Sequence, residues 1–182
     1  AEGERMKRLY LLRHGQTEFN VKKLVQGRCD SPLTDLGRQQ AGTAAAWLKA
    51  HNVVPDKVVS SPLGRAMDTA GLVATELLGQ NVAVEPCEGI IERCYGTFEE
   101  GPHDALPTDV WDPGEDLVPY GGEGSQALQA RMVNTLTTLI SAEDTKTLLA
   151  VSHGSASRQF IKAAAPEGFG LPTKLPNCAI MI

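Results

Sequence analysis

Two short apolar runs end on the same dipeptide. Tyr10-Leu11-Leu12-Arg13-His14-Gly15 and Leu149-Ala150-Val151-Ser152-His153-Gly154 each carry a histidine to the end of a strand-like stretch, and the chain has only four histidines. A third run, Lys57–Ser60, leads through Ser61-Pro62-Leu63-Gly64 to Arg65. In open α/β sheets, ligands bind outside the carboxyl ends of the strands. Two imidazoles with Arg13 and Arg65 beside them there describe an anion site. Guanidinium forks grip a phosphate in plane, and a neutral imidazole can attack phosphorus or carry a proton. A glycine after each histidine lets the backbone approach a ligand closely. Taken singly, a strand-end histidine is more often a hydrogen-bonded structural residue, and an arginine a surface one. Their coincidence at three strand ends favours a site.

The elements that must position these residues alternate along the chain. Arg8–Arg13 reads as a buried strand. Thr34, with Asp35 behind it, opens a helix through Ala44, Ala45, Trp47 and Leu48 that Asn52 and Pro55 stop. Lys57–Ser60 is a second strand. Pro62 opens a second helix carrying Ala66, Met67, Ala70, Val73, Ala74 and Leu77, with Gly79 at its end. Residues 82–84 suggest a short strand. Residues 123–140 form a third long helix with Leu128, Met132, Val133, Leu136 and Ile140 at spacings of three and four. A strand at 148–151, a helix at 155–164 and a last strand at 179–182 follow. The sequence ends within that last apolar run, beyond which the native chain is expected to continue. Such alternation predicts an α/β layered fold with a mostly parallel sheet.

One segment departs from the alternation. Residues 96–125 contain no Lys or Arg but hold Glu99, Glu100, Asp104, Asp109, Asp112, Glu115, Asp116 and Glu123, with Pro102, Pro107, Pro113 and Pro119. A long irregular stretch inside a domain is commonly functional, and a lid is expected here.

Composition removes several classes. Hydrophobic residues are 42% and charged residues 21% of the 182, which excludes a disordered or fibrous chain. A net charge of −5 without a basic patch argues against nucleic acid as a partner. No apolar run is long enough to span a membrane, and the run at 9–12 is too short for a signal peptide. Cys29, Cys87, Cys94 and Cys178 show neither a C-x-x-C pair nor zinc spacing, so a reduced, cytoplasmic protein without a metal is expected. Residues 1–5, ahead of Met6, carry no weight in this reading.

The motifs together are recognisable. Leu12-Arg13-His14-Gly15-Gln16-Thr17-Glu18-Phe19-Asn20 resembles the R-H-G-[EQ]-[ST]-x-[WF]-N signature of the histidine phosphatase superfamily, in its phosphoglycerate-mutase-like branch. Gln26-Gly27-Arg28-Cys29-Asp30-Ser31-Pro32-Leu33-Thr34 is similar to the family's Q-G-x-x-D-x-P-L-T loop, and residues 60–70 to its S-S-x-L-x-R-A-x-x-T-A segment. Glu92-Arg93-Cys94-Tyr95-Gly96 resembles the segment holding the family's acid. Gly122-Glu123-Gly124-Ser125 resembles its G-G-E-S helix start with one extra glycine, and Val151-Ser152-His153-Gly154 completes the set.

The resemblance implies one domain over 1–182, a three-layer α/β/α sandwich of phosphoglycerate mutase-like fold with 96–125 as its lid, whose carboxylates would then lie near the pocket mouth and disfavour leaving groups with extra negative charge. It implies a phosphomonoester hydrolase, without metal or cofactor, acting on a small phosphorylated metabolite through a phosphohistidine. His14 would be the nucleophile. Arg13, Arg65 and His153 would hold the equatorial oxygens, where transition-state charge sits. Glu92 would protonate the leaving alcohol and then take a proton from water, with Glu88 and Glu99 as its nearest competitors. Asn20, Gln26, Gly27, Tyr95 and Gly154 are the further phosphate or substrate contacts. A bisphosphoglycerate-dependent mutase is the alternative, and a silent phosphate-binding module a more distant one. The mutases' carboxylate-seating lysine and arginines have no counterpart, since residues 94–130 contain neither type. A small phosphate ester is the expected partner, with no nucleic acid or membrane; a homodimer is left open.

Overall fold

The computed structural model describes residues 6–182; residues 1–5 lie outside the described residues. Ten regular elements follow in chain order: β1 (Arg8–Arg13), α1 (Glu18–Lys22), α2 (Asp35–Ala50), β2 (Lys57–Ser60), α3 (Gly64–Leu78), β3 (Glu85–Pro86), α4 (Ser125–Ile140), β4 (Thr147–Ser152), α5 (Gly154–Ala164) and β5 (Ile180–Met181). The five strands form one sheet in the order β3-β2-β4-β1-β5. All neighbours are parallel except β5, which runs antiparallel to β1.

Strand alternation assigns the two faces. Leu12, Val58, Leu149 and Val151 meet the small residues Ala41, Ala44, Ala45, Ala66 and Ala70 of α2 and α3. Their alternates Leu11, Val59, Leu148 and Ala150 meet Leu128, Met132 and Leu136 of α4 and Ala156 of α5. Helices on both faces of a mainly parallel sheet make the predicted three-layer sandwich. Apolar runs with no polar alternation are what a strand covered on both faces requires.

Register positions the chemistry. β1 pairs with β4 through Leu12↔Val151 and Arg13↔Ser152, and the His14 N–H continues the ladder to the Ser152 carbonyl at 3.1 Å. His14 and His153 therefore emerge side by side at the carboxyl edge.

Several boundaries differ from the sequence reading. The third strand falls on Glu85–Pro86, beside Val59 and Ser60, rather than on 82–84. Val82 and Val84 instead pack against the α2–α3 core from coil. Pro62 lies in the turn before α3, which starts at Gly64 behind Leu63. α4 starts at Ser125 rather than 123. The short helix α1 was not anticipated: Thr17 caps it by accepting from the Asn20 N–H, and Asn20 answers from its own side chain.

Residues 96–125 are irregular, as expected, apart from short 3₁₀ turns at Gly96–Phe98, His103–Ala105 and Val118–Tyr120. The segment has an apolar centre of its own, where Tyr95, Leu106 and Leu117 bury against Val25. Its carboxylates do not gather as expected, and none of the eight lines the pocket described below. Glu99 accepts the N–H groups of Arg28, Cys29 and Tyr95. Asp112 pairs with Arg158 at 3.2 Å, and Glu123 with Arg131 at 2.7 Å. Glu99, Asp112 and Glu123 thus act as local anchors. All four cysteines are free and half-buried, and no described helix is long and apolar enough to cross a membrane.

Candidate active site

Beyond the carboxyl ends of β1, β2 and β4 lies a cavity of about 90 Å³. Its walls include Arg13, His14, Asn20, Gln26, Gly27, Arg65, Glu92, Tyr95 and Gly154. Nine of the ten predicted site residues therefore meet there; the tenth, His153, lies behind the wall. Its ring centroid is 5.1 Å from that of His14, and it is fully buried with Nε2 2.7 Å from the Ser61 Oγ and Nδ1 without a partner.

His14 Nδ1 lies 2.7 Å from the Gly15 carbonyl oxygen. A carbonyl only accepts, so the neutral ring carries its proton on Nδ1 and presents the Nε2 lone pair. Burial, then the charges of Arg65 and Arg13, pushes the His14 pKa well below its ordinary value. Burial and the same arginines act likewise on His153. Both rings are neutral.

The two guanidiniums are anchored by their outer nitrogens. Arg65 donates from Nη2 to the Gly27 carbonyl at 2.6 Å and from Nη1 to the Cys29 carbonyl at 2.7 Å and Asp30 at 3.0 Å. Arg13 donates from Nη1 to the Leu175 carbonyl, and its face lies 5.0 Å from the Trp111 ring centre. The Nε–H of each arginine is buried and unpartnered, a condition a bound anion would relieve. Burial, with a lesser push from Arg65, lowers Arg13 to about 10, so it remains charged at neutral pH.

Two amides are fixed with their oxygens turned away from the cavity. Asn20 Oδ1 accepts from the Thr17 N–H at 3.0 Å and from Asn177 Nδ2 at 3.3 Å. Gln26 Oε1 accepts from Thr17 Oγ1 at 2.8 Å and Ser31 Oγ at 3.0 Å. Each is left with its NH₂ as the group it can offer to an acceptor.

Glu92 Oε1 accepts from the Arg93 N–H at 2.7 Å and the Ala156 N–H at 2.9 Å, and Oε2 from the Ser155 N–H at 3.3 Å. The carboxyl group thus sits on the first turn of α5, its two oxygens oriented by three N–H groups. Its competitors are elsewhere: Glu88 is exposed, and Glu99 is tied to three backbone amides outside the cavity.

The two glycines are also required by packing. A Cβ on Gly15 would meet the Gly37 carbonyl oxygen at 2.4 Å, and one on Gly154 would meet the Trp111 ring at 2.6 Å. Sequence reasoning missed Leu24, Val25, His103, Val110, Trp111 and Ser155 in the wall. It also missed Asn177, whose Nδ2 reaches both the His14 carbonyl and Asn20. Arg93, within the quoted E-R-x-Y-G motif but given no role, is fully buried and donates to Ser155, Ser125, Gly114 and Glu123. It ties the ends of the irregular segment to α5. Among the described residues, no three His, Cys, Asp or Glu side chains are grouped to hold a metal.

A neutral imidazole between two buried arginines at a parallel sheet edge defines a class, and comparison agrees. The sequence profile of the histidine phosphatase superfamily (branch 1) matches residues 9–182. The chain belongs to that superfamily. It is 34% identical over 158 residues to a broad-specificity phosphatase of Saccharomyces cerevisiae, covering 85% of this chain and 69% of that one. It is 34% identical over 183 residues to a glucosyl-3-phosphoglycerate phosphatase of Mycolicibacterium vanbaalenii, covering 92% and 76%. Mutases match too: a 2,3-bisphosphoglycerate-dependent phosphoglycerate mutase of Methylorubrum populi is 32% identical over 165 residues, covering 84% and 76%. Some relatives are longer, and of a bifunctional Mycobacterium tuberculosis protein the chain spans 47%. Among solved structures, a mycobacterial glucosyl-3-phosphoglycerate phosphatase in complex with VO3 superposes with a TM-score of 0.79 at 29% identity, covering 96% of this chain and 90% of that one.

Proposed function

We propose that the chain is a phosphomonoester hydrolase of small phosphorylated metabolites, working through a phosphohistidine on His14. The observation that carries this reading is His14 itself, a buried neutral ring with Nδ1 tied to Gly15 and Nε2 left for the cavity. In the first step, Nε2 attacks phosphorus and the P–O bond to the alcohol breaks, with Glu92 entering as the acid, giving its proton to the alcohol and remaining ionised for the second step. In the second, water attacks the phosphohistidine, Glu92 takes its proton, and inorganic phosphate leaves with His14 neutral again. The Nε–H groups of Arg13 and Arg65 and the amides of Asn20 and Gln26 meet the phosphoryl oxygens as their charge builds. His153 can offer an oxygen only its unpartnered Nδ1. The cationic wall does the work that a metal would do elsewhere.

This reading treats 1–182 as one catalytic domain whose segment 96–125 covers the cavity, through Val110 and Trp111. Four free cysteines suit a reducing compartment, the cytoplasm. The mutase alternative is disfavoured because no Lys or Arg of residues 94–130 is there to seat a carboxylate. The test is phosphate release from alkyl and aryl phosphates in the presence of EDTA, with alkaline quenching to trap phosphate on His14. Release that requires a metal, or label on any other residue, overturns the reading. Phosphoglycerate interconversion on adding bisphosphoglycerate, outpacing hydrolysis, favours the mutase.

A further inference from the structure

The cavity has two unlike ends. Its anion end is built from strand termini and turns: Arg13, His14, Arg65 and the amides. The other end is built by loops that meet one another. The Val25 N–H donates to the Gly101 carbonyl and the Glu100 N–H to the Val25 carbonyl, both at 2.8 Å, and the His103 N–H donates to the Lys23 carbonyl at 3.1 Å. This clasp holds Leu24 and Val25 opposite Val110 and Trp111 in one lining.

Trp111 is fixed from both sides. The Tyr95 hydroxyl donates to the Val110 carbonyl at 2.7 Å, and Asp112 is held by Arg158 at 3.2 Å and Gln159 at 3.4 Å. These anchors fix the chain on either side of Trp111 and so the point from which the indole projects. Gly154 leaves space for the ring against α5, and Arg13 lies on its face.

The charges at this end are accounted for. Arg13 and Arg65 are the only Lys or Arg residues in the lining. Their Nε–H groups are unpartnered, while both Nη groups of Arg65 and Nη1 of Arg13 already have carbonyl or carboxylate partners. His103 Nε2 is 3.2 Å from the Leu24 carbonyl. Once a phosphoryl group occupies the anion end it faces Arg13 and Arg65, and the wall holds no further arginine or lysine for a second anion. What remains is Leu24, Val25, Val110 and the Trp111 indole, with His103 and Ser155 beside them.

Building on the phosphatase reading, we infer that the pocket selects phosphomonoesters of uncharged, apolar alcohols, with Trp111 as the specificity-determining wall. A carboxylate on the leaving group would lose its water against Leu24, Val25 and Val110 without gaining a partner, which is costly. A ring or hydrocarbon chain gains by burial. Exclusion here comes from desolvation, so it works at any salt concentration.

The test compares kcat/KM for benzyl phosphate, glycerol 3-phosphate and 3-phosphoglycerate, whose leaving groups are all unactivated alcohols. Benzyl phosphate should lead 3-phosphoglycerate by about tenfold or more, the scale of discrimination that hydrophobic contacts provide. Trp111→Leu keeps hydrocarbon but removes the ring, and should cut the benzyl-to-glycerol ratio severalfold; Trp111→Phe should restore it. Using the ratio cancels any loss common to both substrates from a displaced Arg13. A binding arm uses Trp47→Phe, which leaves Trp111 as the only tryptophan. Benzylphosphonate should shift its emission and bind more tightly than phosphonoacetate. If 3-phosphoglycerate equals benzyl phosphate, or the ratio ignores Trp111→Leu, the inference fails while hydrolysis stands. If no ester is hydrolysed but benzylphosphonate still binds preferentially at Trp111, the pocket assignment stands and the phosphatase reading falls.

Discussion

His14 donates its Nδ1 proton to the carbonyl of Gly15, its own neighbour, at 2.7 Å. That bond sets the tautomer, and burial with Arg65 and Arg13 keeps the ring from taking a second proton. The nucleophile is therefore ready well into mild acid. His14→Ala should lower kcat by at least about 10³-fold, since no neighbouring group can take over the covalent step. In the unaltered enzyme, kcat measured from pH 5 to 8 should show no fall toward acid centred near 6.5, the ordinary histidine value. A half-maximal point there would mean that His14 ionises as an exposed ring does.

Glu92→Gln makes a separable change. Gln keeps an oxygen for the Arg93 and Ala156 N–H groups but places an NH₂ toward the Ser155 N–H, which Glu92 Oε2 now accepts at 3.3 Å. It also cannot protonate the departing alcohol. Turnover of alkyl phosphates should fall by about 10²-fold or more, and that of 4-nitrophenyl phosphate by much less, because nitrophenolate leaves without a proton. Equal losses on both substrates would assign Glu92 a purely structural role beneath α5.

These two residues also show what the sequence makes legible. Strand ends could be read because buried parallel strands are unbroken apolar runs, so Arg13, His14, Arg65 and His153 fell where the pattern stopped. Glu92 stood out by motif, yet only the fold separates it from Glu88 and Glu99, since three carboxylates within one loop carry no periodicity. Trp111 was invisible for the same reason: it lies between Asp109 and Pro113 in a segment ordered by tertiary anchors. Asn177 acts across 163 positions of chain on His14, a relation no local pattern encodes. The third strand slipped to Glu85–Pro86 because Val82 and Val84 bury against the α2–α3 core from coil; apolar residues there meant burial, not pairing.

Two buried neutral histidines link stability to pH. His14 and His153 are both held well below their ordinary value, chiefly by burial. Below about pH 6.5 the unfolded chain binds these protons and the folded chain does not. Stability should therefore be full above that value and fall as pH drops. Each ring contributes a slope of up to about 1.4 kcal/mol per pH unit until its folded pKa is reached. Urea titrations at pH 7.5, 6.5 and 5.5 would measure it. His14→Asn should roughly halve the slope, and an unchanged slope would show that other groups carry it.

α2 holds two glycines of opposite character. A Cβ on Gly37 would lie 2.1 Å from the Gln16 carbonyl oxygen, directly beneath the His14 loop, whereas one on Gly42 meets nothing within 4 Å. Gly37→Ala must move backbone against backbone and should cost about 1–3 kcal/mol. Gly42→Ala, at an exposed mid-helix position, should instead stabilise by up to about 1 kcal/mol through helix propensity alone. Thermal unfolding of the two variants should move in opposite directions. Gly37→Ala should also weaken phosphate binding if the displaced loop carries His14 with it, while Gly42→Ala should leave activity unchanged.

The pairing of Gly154 with Trp111 gives the most exacting test of the cavity wall. Alanine suits the helical backbone at the start of α5, so Gly154→Ala should leave folding largely intact. Its Cβ, however, would sit 2.6 Å from Cη2 and Cζ3 of Trp111 and 3.1 Å from Arg13 Nε. The chain is held at Val110 and Asp112 on either side of Trp111, so the indole has to tilt off Arg13. kcat/KM for benzyl phosphate should drop about tenfold, mainly through KM. Trp111→Leu removes the ring atoms that clash, so alanine at 154 should then cost little. The double variant should resemble Trp111→Leu alone, with a coupling of about 0.5–3 kcal/mol, as expected for residues in contact. If the two losses simply add, Gly154 is not reserving space for the indole, and the wall is set by some other contact.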